Sequence, residues 1–285
     1  MLEVEKVKLL IEPSQKNNID YNCDGLILAL QDFSVESFCY FDIDEILEIK
    51  NRYNKEVFVK INKNLFNNDI DDVTEILKKI NNKIDGVFFY DLAIIEICCD
   101  NNLNIPLIWN QTHMVNNYRT CDYYYKKGVE YALLGKEITL DEILDIIKKS
   151  KIKCMVEVLS IPSVAHSYRT LITNYSNDIK EEKKSKLKVK EKITGDYYDL
   201  VEDKNGTSFF LDKIMNGTSI IKNLYECNCP YIIFREYGIA FFDELVNDTM
   251  KYINNKCIDS SYINKYKKLG DSTNFFFKKT IYKVK

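Results

Sequence analysis

Thirteen residues, SVAHSYRTLITNY from Ser163 to Tyr175, put hydroxyls, an imidazole and a guanidinium directly after an apolar run. Ser163 and His166 stand at i, i+3, the only local pairing of a nucleophile with a base. Arg169 offers a planar fork that suits a carboxylate or a phosphate. Other polar residues end apolar runs in the same way: Glu12, Gln31 and Asp32, Lys60 and Asn62, Asp91, Asn110 to His113, Lys136 and Glu137, and Arg235 and Glu236. Gathered at one end of a sheet, such a set of both signs would bind a small anion or position a nucleotide. A two-histidine metal site would need His113 and His166 to meet, since the chain has only these two. There are nine cysteines, and only Cys227 and Cys229 have close ligand-like spacing. No second pair stands at zinc-finger spacing, so no metal is expected. Cys98, Cys99 and Cys154 lie in apolar runs and read as core thiols. No G-x-S-x-G, H-E-x-x-H or phosphate-loop motif is present.

The elements that must position these groups alternate. Strand-like runs VKLLIEP, DGLILAL, EVFVKIN, IDGVFFYD, IPLIWNQ, EYALLGKE and KCMVEVLS are separated by helix-like ones. DDVTEILKKINN carries Val73, Ile76, Leu77 and Ile80 on one face, and TLDEILDIIKKS has Thr139 as its N-cap. Strands separated by single helices pair in parallel with right-handed crossovers. Seven such units, with PYIIFRE as an eighth strand, predict a TIM-type (β/α)8-like barrel whose site lies at the C-terminal strand ends. The first unit is irregular, because SQKNNIDYNC is too short for an ordinary helix. SNDIKEEKKSKLKVKEK reads as a charged, solvated loop at about 176–196, and DYYDLVEDKNGTSFF as a hairpin turning at Asn205-Gly206. The expected layout is a barrel over 1–257 with that insertion, then a tail over 258–285 whose NFFFKKTIYKVK alternates like a strand.

The 285 residues, 46% of them hydrophobic, suffice for one large barrel. A net charge of −3 excludes a surface that coats nucleic acid, though not a local basic groove. No apolar run is long enough to cross a membrane, and MLEVEKVKLL lacks the basic start and apolar core of a signal peptide. A cytoplasmic location is expected.

Five segments in order resemble peptidase family U32: CDGLILAL, FDIDEI, EVFVKINKNLFNNDI, KIDGVFFYDLAII and LGKEITLDEI, within a similarity running from about Leu9 to Asn254. IWNQTHMVNNYRTCDYYYKKG, EDKNGT and FFFKKTIY are similar to a branch of small paralogues. That branch is associated with wobble-uridine 5-hydroxylation of bacterial tRNA beside a larger paralogue. The family also contains hydroxylases of ribosomal RNA or a quinone precursor, and proteins described as collagenase-like peptidases. Many members follow the seventh strand with HGALCVSYSGRC, whose two cysteines help hold an iron–sulfur cluster. Here those positions are Ser163 and Thr170, and no cysteine lies between Cys154 and Cys227. Hydroxyls are poor cluster ligands, so no cluster is expected, and the turn reads as vacated with its arginine, Arg169, kept. The resemblance implies tRNA and the larger paralogue as partners and a prephenate-like organic acid as co-substrate. Arg169 and Lys136 would hold an anion, with Glu137 orienting them. Asn117, His166, Ser163, Asp91 and Glu236 complete the candidates for ligand or RNA binding. Tyr118, Tyr123, Tyr124 and Tyr125 offer faces for base stacking. The alternatives are a U32-type hydrolase and a non-catalytic binding or scaffold subunit. Whether the chain is an enzyme is left open.

Overall fold

A computed structural model describes residues 6–111, 113–182, 184–255, 260–267, 269, 272–273 and 276–277. Its centre is a closed ring of eight parallel strands. Seven come first in the chain: β1 (Lys8–Glu12), β2 (Gly25–Leu30), β3 (Glu56–Ile61), β4 (Gly86–Phe89), β5 (Leu107–Trp109), β6 (Tyr131–Leu133) and β7 (Lys153–Ser160). Five further strands intervene before the last stave: β8 (Ser163–Ser167), β9 (Lys186–Lys190), β10 (Tyr197–Asp203), β11 (Gly206–Leu211) and the short Ile214–Asn216; the stave itself is β12 (Tyr231–Arg235). Parallel pairing of β12 with both β1 and β7 closes the barrel.

The helices α1 (Ile43–Arg52), α2 (Ile70–Ile80), α3 (Ala93–Asp100), α4 (Tyr118–Lys126) and α5 (Leu140–Lys149) follow β2 to β6 in turn. Local sequence starts them. Asp42 and Glu45 form a capping box on α1, as do Thr139 and Glu142 on α5, each satisfying amides that a helix start leaves unpaired. On α2, Val73, Leu77 and Ile80 are buried and Ile76 is partly so. Between β1 and β2 no helix forms, as the short connection predicts.

Side chains alternate along a strand, and that period fills the barrel in layers. Leu10, Ile27, Phe58, Phe88, Ile108 and Met155 belong to one interior apolar cluster. Two residues further along their strands stand Glu12, Ala29, Lys60, Tyr90, Asn110 and Glu157. The core therefore gives way to polar groups at the C-terminal mouth.

The charged stretch is not a loop. It contains part of α6 (Leu171–Ile179) and all of β9. The strands β9, β10, β11 and β8, in that order, form an antiparallel sheet. The β10–β11 hairpin turns at Lys204-Asn205, and Gly206 takes φ +124°, where an added Cβ would lie 2.1 Å from the Ser167 carbonyl. α6 packs on β10 and β11. Its own N-cap, Thr170, makes no side-chain cap. Glu202 of β10 instead accepts from the Ile172 and Thr173 amides at 2.7 and 3.2 Å. Glu202 and Thr207 face α6, so the pleat turns His166, Ser208 and Phe210 to the other side, toward the barrel.

After α7 (Ile221–Glu226) and α8 (Phe242–Asn255), the tail holds α9 (Ser260–Tyr266), and Ser272–Thr273 pairs in parallel with Ile214–Met215. Most of NFFFKKTIYKVK lies outside the described residues, as do Lys183 and Thr112.

Candidate functional site

The small sheet roofs the barrel mouth. Asn205 Nδ2 donates to the Ser34 carbonyl at 3.0 Å, Tyr40 Oη to Asp203 at 2.7 Å, and the Asn64 amide to Tyr168 Oη at 2.8 Å. Phe38 stacks on Tyr237 at 3.3 Å between ring centroids and packs on Phe210 of β11. The loops after β2, β3 and β12 are thus tied to the roof.

Under it lie two cavities that share Glu36, Asn62 and Asn110 as lining residues. The lower one, about 20 Å³, is floored by Glu12, Lys60, Lys136, Glu157 and Arg235. That is room for one water. Arg235 grips Glu12 with two bonds, Nε to Oε2 at 2.8 Å and Nη2 to Oε1 at 2.9 Å. Lys60 Nζ lies 2.9 Å from Glu12 Oε1 and 2.8 Å from Ser37 Oγ. Lys136 pairs with Glu157 at 2.9 Å, and Ser160 donates to the same carboxylate. Glu36 adopts φ +56°, and its carbonyl accepts from Arg235 and Lys60.

Glu12, Lys60 and Glu157 are tuned by the charges beside them. Burial alone would raise the Glu12 carboxyl, but Arg235 and Lys60 beside it bring it down to about 2. Burial, with Arg235 adding repulsion, brings the Lys60 ammonium down to about 8 despite the pull of Glu12. Glu157 is buried too, yet Lys136 and Arg235 hold it below the usual carboxylate range.

The upper cavity, about 120 Å³, separates this floor from the roof. Tyr90, Asn110 and His113 line it from the barrel, and His166 and Tyr168 from β8 and the turn after it. The two histidines therefore face one space. His166 is fully committed, however: Nε2 donates to the Asn205 carbonyl at 3.1 Å, which leaves Nδ1 to accept from Ser208 Oγ at 2.9 Å. Among the described residues no three Cys, His, Asp or Glu groups are placed to hold a metal.

The other sequence candidates have simpler surroundings. Ser163 Oγ is buried without a hydrogen-bond partner, so Ser163 and His166 form no nucleophile–base pair. Arg169 is exposed and lines neither cavity, against the expectation that it reaches the mouth. Its carbonyl accepts from Thr207. Glu137 is exposed, and Lys136 turns to Glu157 instead. Asp91 accepts from the Ala93 and Leu65 amides, and Asn117 caps α4. Glu236 holds Ser14 and Gln15. On α4, Tyr124 is buried against Trp109 at 3.9 Å and Tyr118 is half-buried, while Tyr123 and Tyr125 are exposed. Cys98 and Cys154 are buried but Cys99 is exposed, because it falls on the outer face of α3. Cys229 is a core thiol donating to the Cys154 and Tyr231 carbonyls.

Sequence reasoning left out Ser37 and Glu36, and reached Glu157 only as a guess, with Asp178, for a carboxylate orienting a Ser163–His166 pair. Glu157 had a signal, a lone charge inside the apolar run CMVEVLS. Glu36 and Ser37 lie in a loop whose path no period reveals.

A family model, peptidase family U32, matches residues 14–235. The chain belongs to this family. Among curated proteins, this U32 chain is 23% identical to tRNA hydroxylation protein P2 of Bacillus subtilis (strain 168), over 98% of this chain and 100% of that one. It is 21% identical to tRNA hydroxylation protein P1 of the same organism, over 60% of this chain and 40% of P1. It is 27% identical to an uncharacterized protease of Methanocaldococcus jannaschii, over 56% and 41%. It thus spans all of P2 but about two-fifths of the other two. Thiamine phosphate pyrophosphorylase from Pyrococcus furiosus overlays with a TM-score of 0.46 at 11% identity, over 88% of this chain and 98% of that one.

The cluster that the family resemblance implies does not fit these residues. Ser163 and Thr170 offer hydroxyls where thiolates are needed, and Cys154, the nearest thiol in sequence, is buried in the barrel wall. No step is assigned to such a group.

Proposed function

We propose that this U32 chain acts in the hydroxylation of a tRNA wobble uridine, with the roofed barrel mouth as its substrate-facing site and a larger paralogue as its partner. The observation that carries this is the end-to-end match to protein P2. The mouth supports it: a buried, fully paired floor of Glu12, Lys60, Arg235, Lys136 and Glu157 is rigid, and it orients whatever enters above it. Mass spectrometry of tRNA nucleosides from a deletion strain tests the proposal. The hydroxylated wobble uridine should disappear and should return with the wild-type gene. Modification that persists at wild-type level in the deletion strain would end this reading.

A further inference from the structure

We infer that the upper cavity is a pocket for one unstacked pyrimidine base of an RNA, with the Asn110 amide reading the edge of that base. The inference rests on the RNA reading above and adds the residues that would receive the base.

Three of the polar groups facing this cavity are already used. The Asn62 amide bonds both ways with the Val35 backbone. His166 is held at both nitrogens, and Tyr168 Oη accepts from the Asn64 amide. Asn110 differs. It is only 7% exposed, it lines both cavities, and its side-chain amide has no hydrogen-bond partner among the described residues. A buried amide of this kind is completed by water or a ligand. It presents a C=O and an N–H side by side, which matches the adjacent N–H and C=O on the edge of a uracil ring.

Charge and size narrow the ligand further. The floor cations Lys60, Lys136 and Arg235 are each paired with Glu12 or Glu157, and the Glu36 side chain adds negative charge beside them. A neutral ring is accommodated there more readily than a phosphate or a carboxylate. A volume of about 120 Å³ is close to the ~150 Å³ of a cavity that takes up benzene, the scale of one monocyclic ring. Tyr90 and Tyr168 supply flat walls. Outside, Phe66 is 57% exposed and meets Tyr168 edge to face at 5.6 Å. Exposed aromatics at the rim give the flanking bases of a single strand something to stack on. A base that enters must leave its own stack, as enzymes acting on bases require.

The test uses the full chain and an anticodon stem-loop RNA in three forms: natural, with an abasic wobble position, and with 4-thiouridine there. The natural RNA should bind about tenfold more tightly than the abasic one, a modest value for one bidentate contact with a base. Asn110→Leu, which breaks no side-chain hydrogen bond within the described protein, should keep the wild-type melting temperature and lose that difference. Irradiating the 4-thiouridine form should crosslink it to peptides holding Tyr90, His113 or Tyr168. Equal binding of natural and abasic RNA, or crosslinks confined to the exposed tyrosines of α4, would overturn the pocket and leave the RNA reading standing. No binding of any form would overturn both.

Discussion

Arg235→Met removes the cation that grips Glu12 through two hydrogen bonds, and the size of its effect can be worked out. The Glu12 carboxyl falls from its ordinary 4.5 to about 2, which at 1.36 kcal/mol per tenfold is about 3 kcal/mol of net favourable interaction. Both side chains are about nine-tenths buried, so solvent screens little of it. In the variant, Lys60 at 2.9 Å and Ser37 at 2.8 Å still face the carboxylate, but one charge of the network is gone. Breaking a buried pair in this way costs about 3–5 kcal/mol, a fall of roughly ten degrees in Tm for a domain of this size. Thermal unfolding followed by circular dichroism at neutral pH measures it. Pairing Arg235→Met with Glu12→Gln removes both charges and should recover much of the loss. The pH dependence has a definite sign. A carboxyl depressed in the fold stabilises above its unfolded pKa near 4.5, and that contribution is lost as pH falls toward 2. Arg235→Met should move this acid loss to higher pH. An Arg235→Met protein melting within about 1 °C of wild type, or a double variant less stable than the single one, would refute the account of the floor.

Three other outcomes are expected. Lys60, depressed to about 8 against an ordinary 10.5, should titrate below the surface lysines in its 13Cε shift. Since the unfolded chain holds that proton longer, Lys60 by itself should make stability rise between pH 8 and 10.5. Glu202→Gln should weaken the start of α6 by roughly 1–2 kcal/mol, seen as faster hydrogen exchange at the Ile172 and Thr173 amides. Replacing Lys186, Lys188 and Lys190 of β9 with glutamine should weaken RNA binding and flatten its log–log salt slope by about 2; an unchanged slope would remove β9 from the RNA interface.

The barrel was legible because its physics is local. Apolar runs of strand length alternated with amphipathic ones, and charges ended the runs, so Glu12, Lys60, Asn110, Lys136 and Arg235 could be placed at one mouth before any coordinates. How those charges pair was not legible. Lys136 meets Glu157, not its sequence neighbour Glu137, because pairing depends on which faces of different strands point inward. The roof was hidden for another reason. In β9 the alternation Lys-Leu-Lys-Val-Lys is a strand period written in lysine, the residue that guards exposed edges, and by composition it reads as solvated loop. The carboxylate that starts α6 is supplied by Glu202, thirty residues further along the chain, so no capping motif announced that helix.

The turn after β7 shows what the roof does to the family frame. The segment that the resemblance marks as a vacated ligand turn is here β8, the strand of the roof that lies over the upper cavity. Ser163 stands in it as a buried hydroxyl without a partner, a polar atom where an apolar one would cost less. His166 and Tyr168, from the same few residues, face the space above the floor. Arg169, the arginine kept in the turn, points to solvent. The segment thus contributes the ceiling of the cavity, held by Asn205, Ser208 and Asn64. Glu12, Lys60, Glu157 and Arg235 sit on rigid strands and Lys136 follows one, while a residue on the roof can adjust with the hairpin that carries it.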